Sequence, residues 1–224
     1  MKWEIVTRPS YSLLQVVLEP NENVTAEPGA MMYMAGDINV KTHTGGLGKA
    51  IARKLLGGES IFMNTFIAGP RGGEVWFAPS LPGDIKYIAL NGSRNLIIQD
   101  TSYLAHHGDI KLSVAWRGLR GLLAEGEMFW LRASGVGGVW INSYGGIIEK
   151  ELGVGEKIII DNFHFVAMDD GMKWNIRRFG GLKSFLFGGE GLVIEVEGPG
   201  RIYVQTRSLP PFMQLIAKYI GRRK

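Results

Sequence analysis

Apolar residues along this chain come in short runs, and few of them recur at helical spacing. The runs Leu13 to Glu19, Ser60 to Ala68, Ile110 to Trp116, Lys157 to Asp161, Leu192 to Glu197 and Ile202 to Arg207 are rich in β-branched and aromatic residues. Glycine-containing stretches bound them, which is the pattern of strands. Helical periodicity is found in two places only, Lys49 to Leu56 and Pro211 to Ile220. Many short strands at this spacing predict an all-β sandwich or barrel-like fold with a short C-terminal helix.

Internal repetition says more than any single segment. Arg53 to Glu59, Arg120 to Glu127 and Lys183 to Glu190 each run from a base through a bulky pair to a closing Gly-Glu: Gly58-Glu59, Gly126-Glu127 and Gly189-Glu190. If each pair opens a strand, residues two, four and six places beyond the glutamate share a face. These are Ile61, Met63 and Thr65, then Phe129, Leu131 and Ala133, then Leu192, Ile194 and Val196. The opposite face carries Asn64, Arg132 and Glu195, so one side packs and the other is wet. Glycine-containing turns follow (Gly69 to Gly73, Gly135 to Gly138, Gly198 to Gly200), each leading to a second strand with an aromatic at one recurring place: Trp76, Trp140 and Tyr203.

A second marker recurs between these hairpins: an apolar run around an acid, at Glu27, Asp100 and Asp161. The two markers together divide the chain into β repeats at 1–80, 81–147 and 148–209, with a C-terminal helix and basic tail at 210–224. A unit of about 65 residues closes its core only partly alone, so three such sandwiches are expected to pack about a pseudo-threefold axis as one cooperative body.

Composition narrows the function classes. The 32 glycines among 224 residues are twice the usual share and act as turn punctuation. Cysteine is absent, which removes disulfide frameworks, thiolate metal sites and cysteine nucleophiles together. The net charge of +4 resides largely in Arg222, Arg223 and Lys224, so a nearly neutral body argues against nucleic acid as a partner. No stretch reaches the length of a transmembrane helix, and Met1 to Val6 alternates like a strand where a signal peptide would be apolar. The expected location is cytoplasmic.

The combination of Glu27 to Met34, Gly57-Gly58-Glu59-Ser60, Leu81 to Ile85, Gly188 to Leu192, and Gly198-Pro199-Gly200 through Gln205-Thr206-Arg207 resembles the altered-inheritance-of-mitochondria, or mitochondrial biogenesis, proteins. The resemblance spans nearly the whole chain. It implies a fold like that of the tryptophan RNA-binding attenuator protein and a homotrimeric assembly, and it implies no catalytic residue. Likeness of fold brings neither tryptophan nor RNA binding with it.

Candidate chemistry is sparse. His43 to Ala50 imitates a phosphate loop but has His43 where a glycine is needed and Ala50 where a metal-binding hydroxyl is needed. His43, His106, His107 and His164 lack metal-ligand spacing, and adjacent His106 and His107 point opposite ways if extended. No serine sits in a Gly-x-Ser-x-Gly turn. The expectation is no enzyme activity, no metal and no cofactor. Glu59, Glu127 and Glu190 read as turn signatures rather than cation ligands. Trp76, Trp140 and Tyr203 read as packing or subunit-contact aromatics. Phe212, Leu215, Ile216, Tyr219 and Ile220 form a stripe beside three cations, so the helix either docks on its own sheet or makes a weak peripheral contact with anionic lipid. The leading expectation is an oligomeric interaction or scaffold protein with an unknown protein partner. The alternative is a small-ligand binder with a pocket between repeats or subunits.

Overall fold

The computed structural model describes residues 1–44, 62–117, 129–179 and 191–220. Strands dominate, as the short β-branched runs demand. The first stretch of chain forms β1 (Lys2–Val6), β2 (Leu13–Leu18), β3 (Asn23–Ala26), β4 (Met31–His43) and β5 (Met63–Phe77). The second forms β6 (Ile85–Asn91), β7 (Leu96–Gln99), β8 (Tyr103–Arg117) and β9 (Phe129–Asn142). The third forms β10 (Ile147–Leu152), β11 (Lys157–Asp161), β12 (Phe165–Asp169), β13 (Lys173–Arg178), β14 (Leu192–Glu197) and β15 (Gly200–Gln205). Helix α1 (Leu209–Ile220) follows, with Pro210 and Pro211 in its first turn, where a missing amide N–H costs little.

The strand ladders are antiparallel, and the first two groups each build on one long strand pair. β5 pairs with β2, β3 and β4. β9 pairs in the same way with β6, β7 and β8. In the third group the work is divided: β15 pairs with β10 and β12, and β14 pairs with β11 and β13. Two further ladders join the groups. β3 runs against β8, with Thr25 opposite His106 and Ala26 opposite Ala105. β7 runs against β12, with Ile98 opposite Ala167 and Ile97 opposite Met168. The third joint that a closed threefold arrangement inside one chain calls for, β11 against β4, is not formed among the described residues.

Two readings of the glycine-rich stretches need correction. Gly69 to Gly73 and Gly135 to Gly138 are not turns between separate strands; they lie inside the continuous strands β5 and β9. Only the third, at Gly198 to Gly200, separates two strands, β14 and β15. The reason lies in close backbone approach. Gly108 and Gly137 face each other across the β8–β9 ladder with φ of +82° and +151°, and a Cβ on Gly137 would lie 2.1 Å from the His107 carbonyl oxygen. Glycine lets both strands bend at that point without breaking the ladder.

The inward faces follow the alternation, with one shift. Phe129, Leu131 and Ala133, and Leu192, Ile194 and Val196, are buried as their spacing predicts. In β5 the core-facing residues are Phe66 and Ala68, and Thr65 lies on the other face, bonded through Oγ1 to Thr25 at 2.7 Å. Met63 instead joins the core of the second group.

Three apolar clusters form the interior, and each crosses a joint. The first-group cluster around Phe66 and Phe77 takes in Leu104, Ala105 and Trp140 from the second group. The second-group cluster around Leu131 and Ile141 takes in Val166, Ala167 and Tyr203 from the third. The third-group cluster around Phe165 and Ile194 takes in Ile97 and Trp130 from the second. Trp140 is fully buried, with ring centroids 5.6 Å from Trp3, 5.3 Å from Tyr87 and 5.2 Å from His107. Trp140→Ala is expected to cost about 3–5 kcal/mol, the range for deleting a core tryptophan. Trp76→Ala, at a half-buried site, should cost clearly less. Urea denaturation midpoints at constant slope check the difference.

Candidate interaction site

The aromatics at Trp76, Trp140 and Tyr203 occupy one ladder position. Trp76 lies opposite Tyr33, Trp140 opposite Ala105 and Tyr203 opposite Ala167, each one step past a register shift in its ladder. Their surroundings differ. Trp140 and Tyr203 are interior packing residues, whereas Trp76 is half-buried and stacks on Tyr33 with centroids 5.5 Å apart. Its indole N–H donates to Glu74 Oε2 at 3.1 Å.

The difference traces to the facing strand. Tyr103, Leu104 and Ala105 on β8, and Phe165, Val166, Ala167 and Met168 on β12, are covered by the joints and at most 1% exposed. The corresponding residues of β4 are Met31, Met32, Tyr33 and Met34, and they are 42%, 54%, 39% and 42% exposed. β4 pairs with β5 along one edge, and its other edge has no strand partner among the described residues. The methionines stand out in the sequence as an apolar run, but nothing local marks them as uncovered.

The first joint carries a group of polar side chains. The Glu27 amide donates to the Leu104 carbonyl at 2.9 Å, and Tyr103 Oη lies 2.6 Å from His106 Nδ1. His107 bonds through Nε2 to Tyr87 Oη at 3.0 Å, on the opposite side from His106. His43 Nε2 lies 2.8 Å from Thr65 Oγ1. His164 is held in a short 3-10 turn, with Nδ1 2.7 Å from the Gln205 carbonyl oxygen. Among the described residues no cluster of three or more His, Asp or Glu is arranged to hold a metal ion.

Burial, with the nearby Asp100 charge, pushes the Glu27 carboxyl up to about 8. Burial pushes Asp100 up to about 6 against the backbone amides that favour its charge. Burial, and then the neighbouring His43 and His107, lower His106 to about 4.

A cleft of about 400 Å³ opens between the second and third groups, lined by Lys86, Arg94, Glu149, Arg201 and Tyr203 among others. Each cation there has a carboxylate. Lys86 Nζ is 2.9 Å from Glu149, and Arg94 donates to Asp169 at 2.5 Å and to Tyr203 Oη at 3.2 Å. Arg201 lies 3.9 Å from Glu149 and 3.8 Å from Asp169. Three cations share two carboxylates, so the cleft carries both signs of charge with an excess of one positive.

Helix α1 buries no residue, and Phe212, Leu215, Tyr219 and Ile220 are exposed. A ring contact between Phe212 and Tyr144, centroids 5.9 Å apart, ties it to the turn before β10. The repeated pairs Gly58-Glu59, Gly126-Glu127 and Gly189-Glu190, the helical signal at Lys49 to Leu56, and the cations Arg222, Arg223 and Lys224 lie outside the described residues.

Strand groups joined edge to edge, with the apolar edge of β4 uncovered among the described residues, define an all-β protein with a short helix after its last described strand. The chain belongs to the mitochondrial biogenesis AIM24 family, whose model matches residues 3–207. It is similar to an uncharacterized protein of Streptococcus pyogenes serotype M6, with 28% identity over 98% of this chain and 91% of that protein. It is also similar to the crystal structure of a Streptococcus pyogenes protein, with 28% identity and a TM-score of 0.81, over 97% of this chain and 99% of that one. No helix among the described residues is long and apolar enough to cross a membrane.

The titration of Glu27 has a readable sign. A carboxyl raised from 4.5 to about 8 contributes stability that is present in full below its unfolded value and is lost as pH rises towards 8. His106, lowered from 6.5 to about 4, contributes in the opposite sense, with stability lost as pH falls between those values. The interval from pH 6.5 to 8 therefore isolates Glu27. Thermal melts should show stability falling across it, and Glu27→Gln should flatten that decline.

Proposed function

We propose that the protein is a homo-oligomeric scaffold or interaction protein without catalytic activity, built from three repeated β units and assembling as a trimer. The observation that carries this reading is the open edge of β4 with four consecutive exposed apolar residues. A strand edge presents a row of backbone donors and acceptors that readily pairs with another strand, and proteins that work as monomers blunt such edges with charge, proline or a bulge. β4 from Met31 to Met34 has neither charge nor proline, its register shift after Met31 is matched in β8 and β12, which are paired at the same place, and its Tyr33–Trp76 pair extends the apolar surface onto β5. Covering this surface removes apolar area from water and satisfies the backbone in one step.

Light scattering at micromolar concentration should give a multiple of 24.7 kDa, threefold for the trimer. Met32→Lys should reduce it to the mass of one chain while the circular dichroism spectrum is retained. A single-chain mass for the unaltered protein overturns the reading.

The cleft between the second and third groups supports a second reading, a small-ligand binder. With Lys86, Arg94, Arg201 and Glu149 lining it beside Tyr203, it offers both signs of charge and suits a zwitterionic molecule. Thermal-shift screening with free amino acids should raise the melting temperature, and Glu149→Gln should abolish the shift. No shift across the panel removes this reading.

A further inference from the structure

We propose that the occupant of the β4 edge is β11 of a second copy, paired antiparallel with Ile160 opposite Tyr33 and Ile159 opposite Met34. The inference rests on the oligomer reading above and names the surface that completes it.

The two joints within the chain supply the argument. In each, the short strand before a tight turn lies against the strand that follows the corresponding turn of the next group. The correspondence is fixed by two features. On the acceptor strands, the register shifts after Met31, Tyr103 and Phe165, so Tyr33, Ala105 and Ala167 are equivalent. On the donor strands, a 3-10 turn begins after Gln99 and after Asp161, so Ile98 and Ile160 are equivalent. Ala26 is their counterpart in the first group, facing the core one residue before Glu27.

The first joint sets Ala26 opposite Ala105, and the second sets Ile98 opposite Ala167. The same rule sets Ile160 opposite Tyr33. The preceding donor residue follows suit: Thr25 faces His106, Ile97 faces Met168, and Ile159 would face Met34.

Among the described residues, three donors and three acceptors therefore make only two joints. The donor left over is β11, which pairs with β14 along one edge and has no second partner among the described residues. The acceptor left over is β4. Burial agrees: Ile97 and Met168, inside a joint, are 2% and 0% exposed, whereas Ile159 and Met34 are 51% and 42% exposed.

Two different edges on one chain make a heterologous, head-to-tail contact, which propagates until the rotation per copy closes a ring. A trimer closed in this way is a ring of nine strand groups. Every group in it then has the same neighbours.

The chain has no cysteine, so a disulfide can report the contact without background. Directly opposed antiparallel residues bring their Cα atoms to about 4.5–5.5 Å, within disulfide reach. Met34→Cys and Ile159→Cys, both at exposed positions, are co-expressed as separate chains and oxidised, then resolved on a non-reducing gel. The mixture should give a cross-linked dimer, each single variant alone should give none, and the double variant should give higher species. Val40→Cys co-expressed with Ile159→Cys should stay uncross-linked, because six residues of strand separate it from Met34 by about 20 Å.

A dimer from Met34→Cys alone would show β4 pairing with itself and overturn the proposal. So would an absence of cross-link in the mixture while light scattering still reports an oligomer, an outcome that leaves the scaffold reading standing. A single-chain mass together with no cross-link removes both.

Discussion

Backbone groups at the edge of a strand must find partners, and that requirement organises this molecule more than any side-chain cluster does. Each strand group leaves an edge on its short donor strand and another on the strand that follows the tight turn. Within the chain these edges meet twice, at β3–β8 and β7–β12, and each meeting draws side chains of the next group into the core of the previous one. The hydrophobic interior is thus a consequence of edge pairing as well as a cause of it. A group removed from its neighbours would expose both the ladder and the apolar residues behind it.

Charge enters at the same places. Glu27 and Asp100 are desolvated near the first joint, the Asp100 charge adds to the cost of ionising Glu27, and burial holds His106 neutral. At the second joint Asp169 instead receives Arg94 and Arg201, so its charge is paired. One backbone scheme therefore carries two electrostatic solutions. The first makes that joint sensitive to pH near neutrality, and the second forms the wall of the cleft.

Strand identity and the all-β class were legible in the sequence because alternation and glycine punctuation act locally. The apolar faces of β9 and β14 could be read residue by residue, and so could the C-terminal helix. Trp76, Trp140 and Tyr203 could be matched as the aromatic that follows each glycine run, even though the first lies four residues farther from its glutamate than the other two. Their burial could not, because it depends on whether a neighbouring strand arrives. The Gly135 to Gly138 run reads as a turn for a related reason: glycine marks a bend as strongly as a turn, and the facing Gly108 tells them apart. The exposed methionines of β4 were visible as an apolar run. Their significance came from comparison with β8 and β12, which no single segment contains.

β9 is the one strand bonded to members of both joints among the described residues, holding β8 on one side and β7 on the other along a single uninterrupted backbone. It acts as a spar. A pull applied at the first group reaches the third through it, beside the covalent turn Asp100–Ser102 and the backbone bonds Ser12–Gly83 and Asp84–Gly145, so loosening β9 would weaken the tie between the two joints, whereas loosening β1 or α1 would shed only a fringe. Mechanical integrity is concentrated in the middle of the sequence.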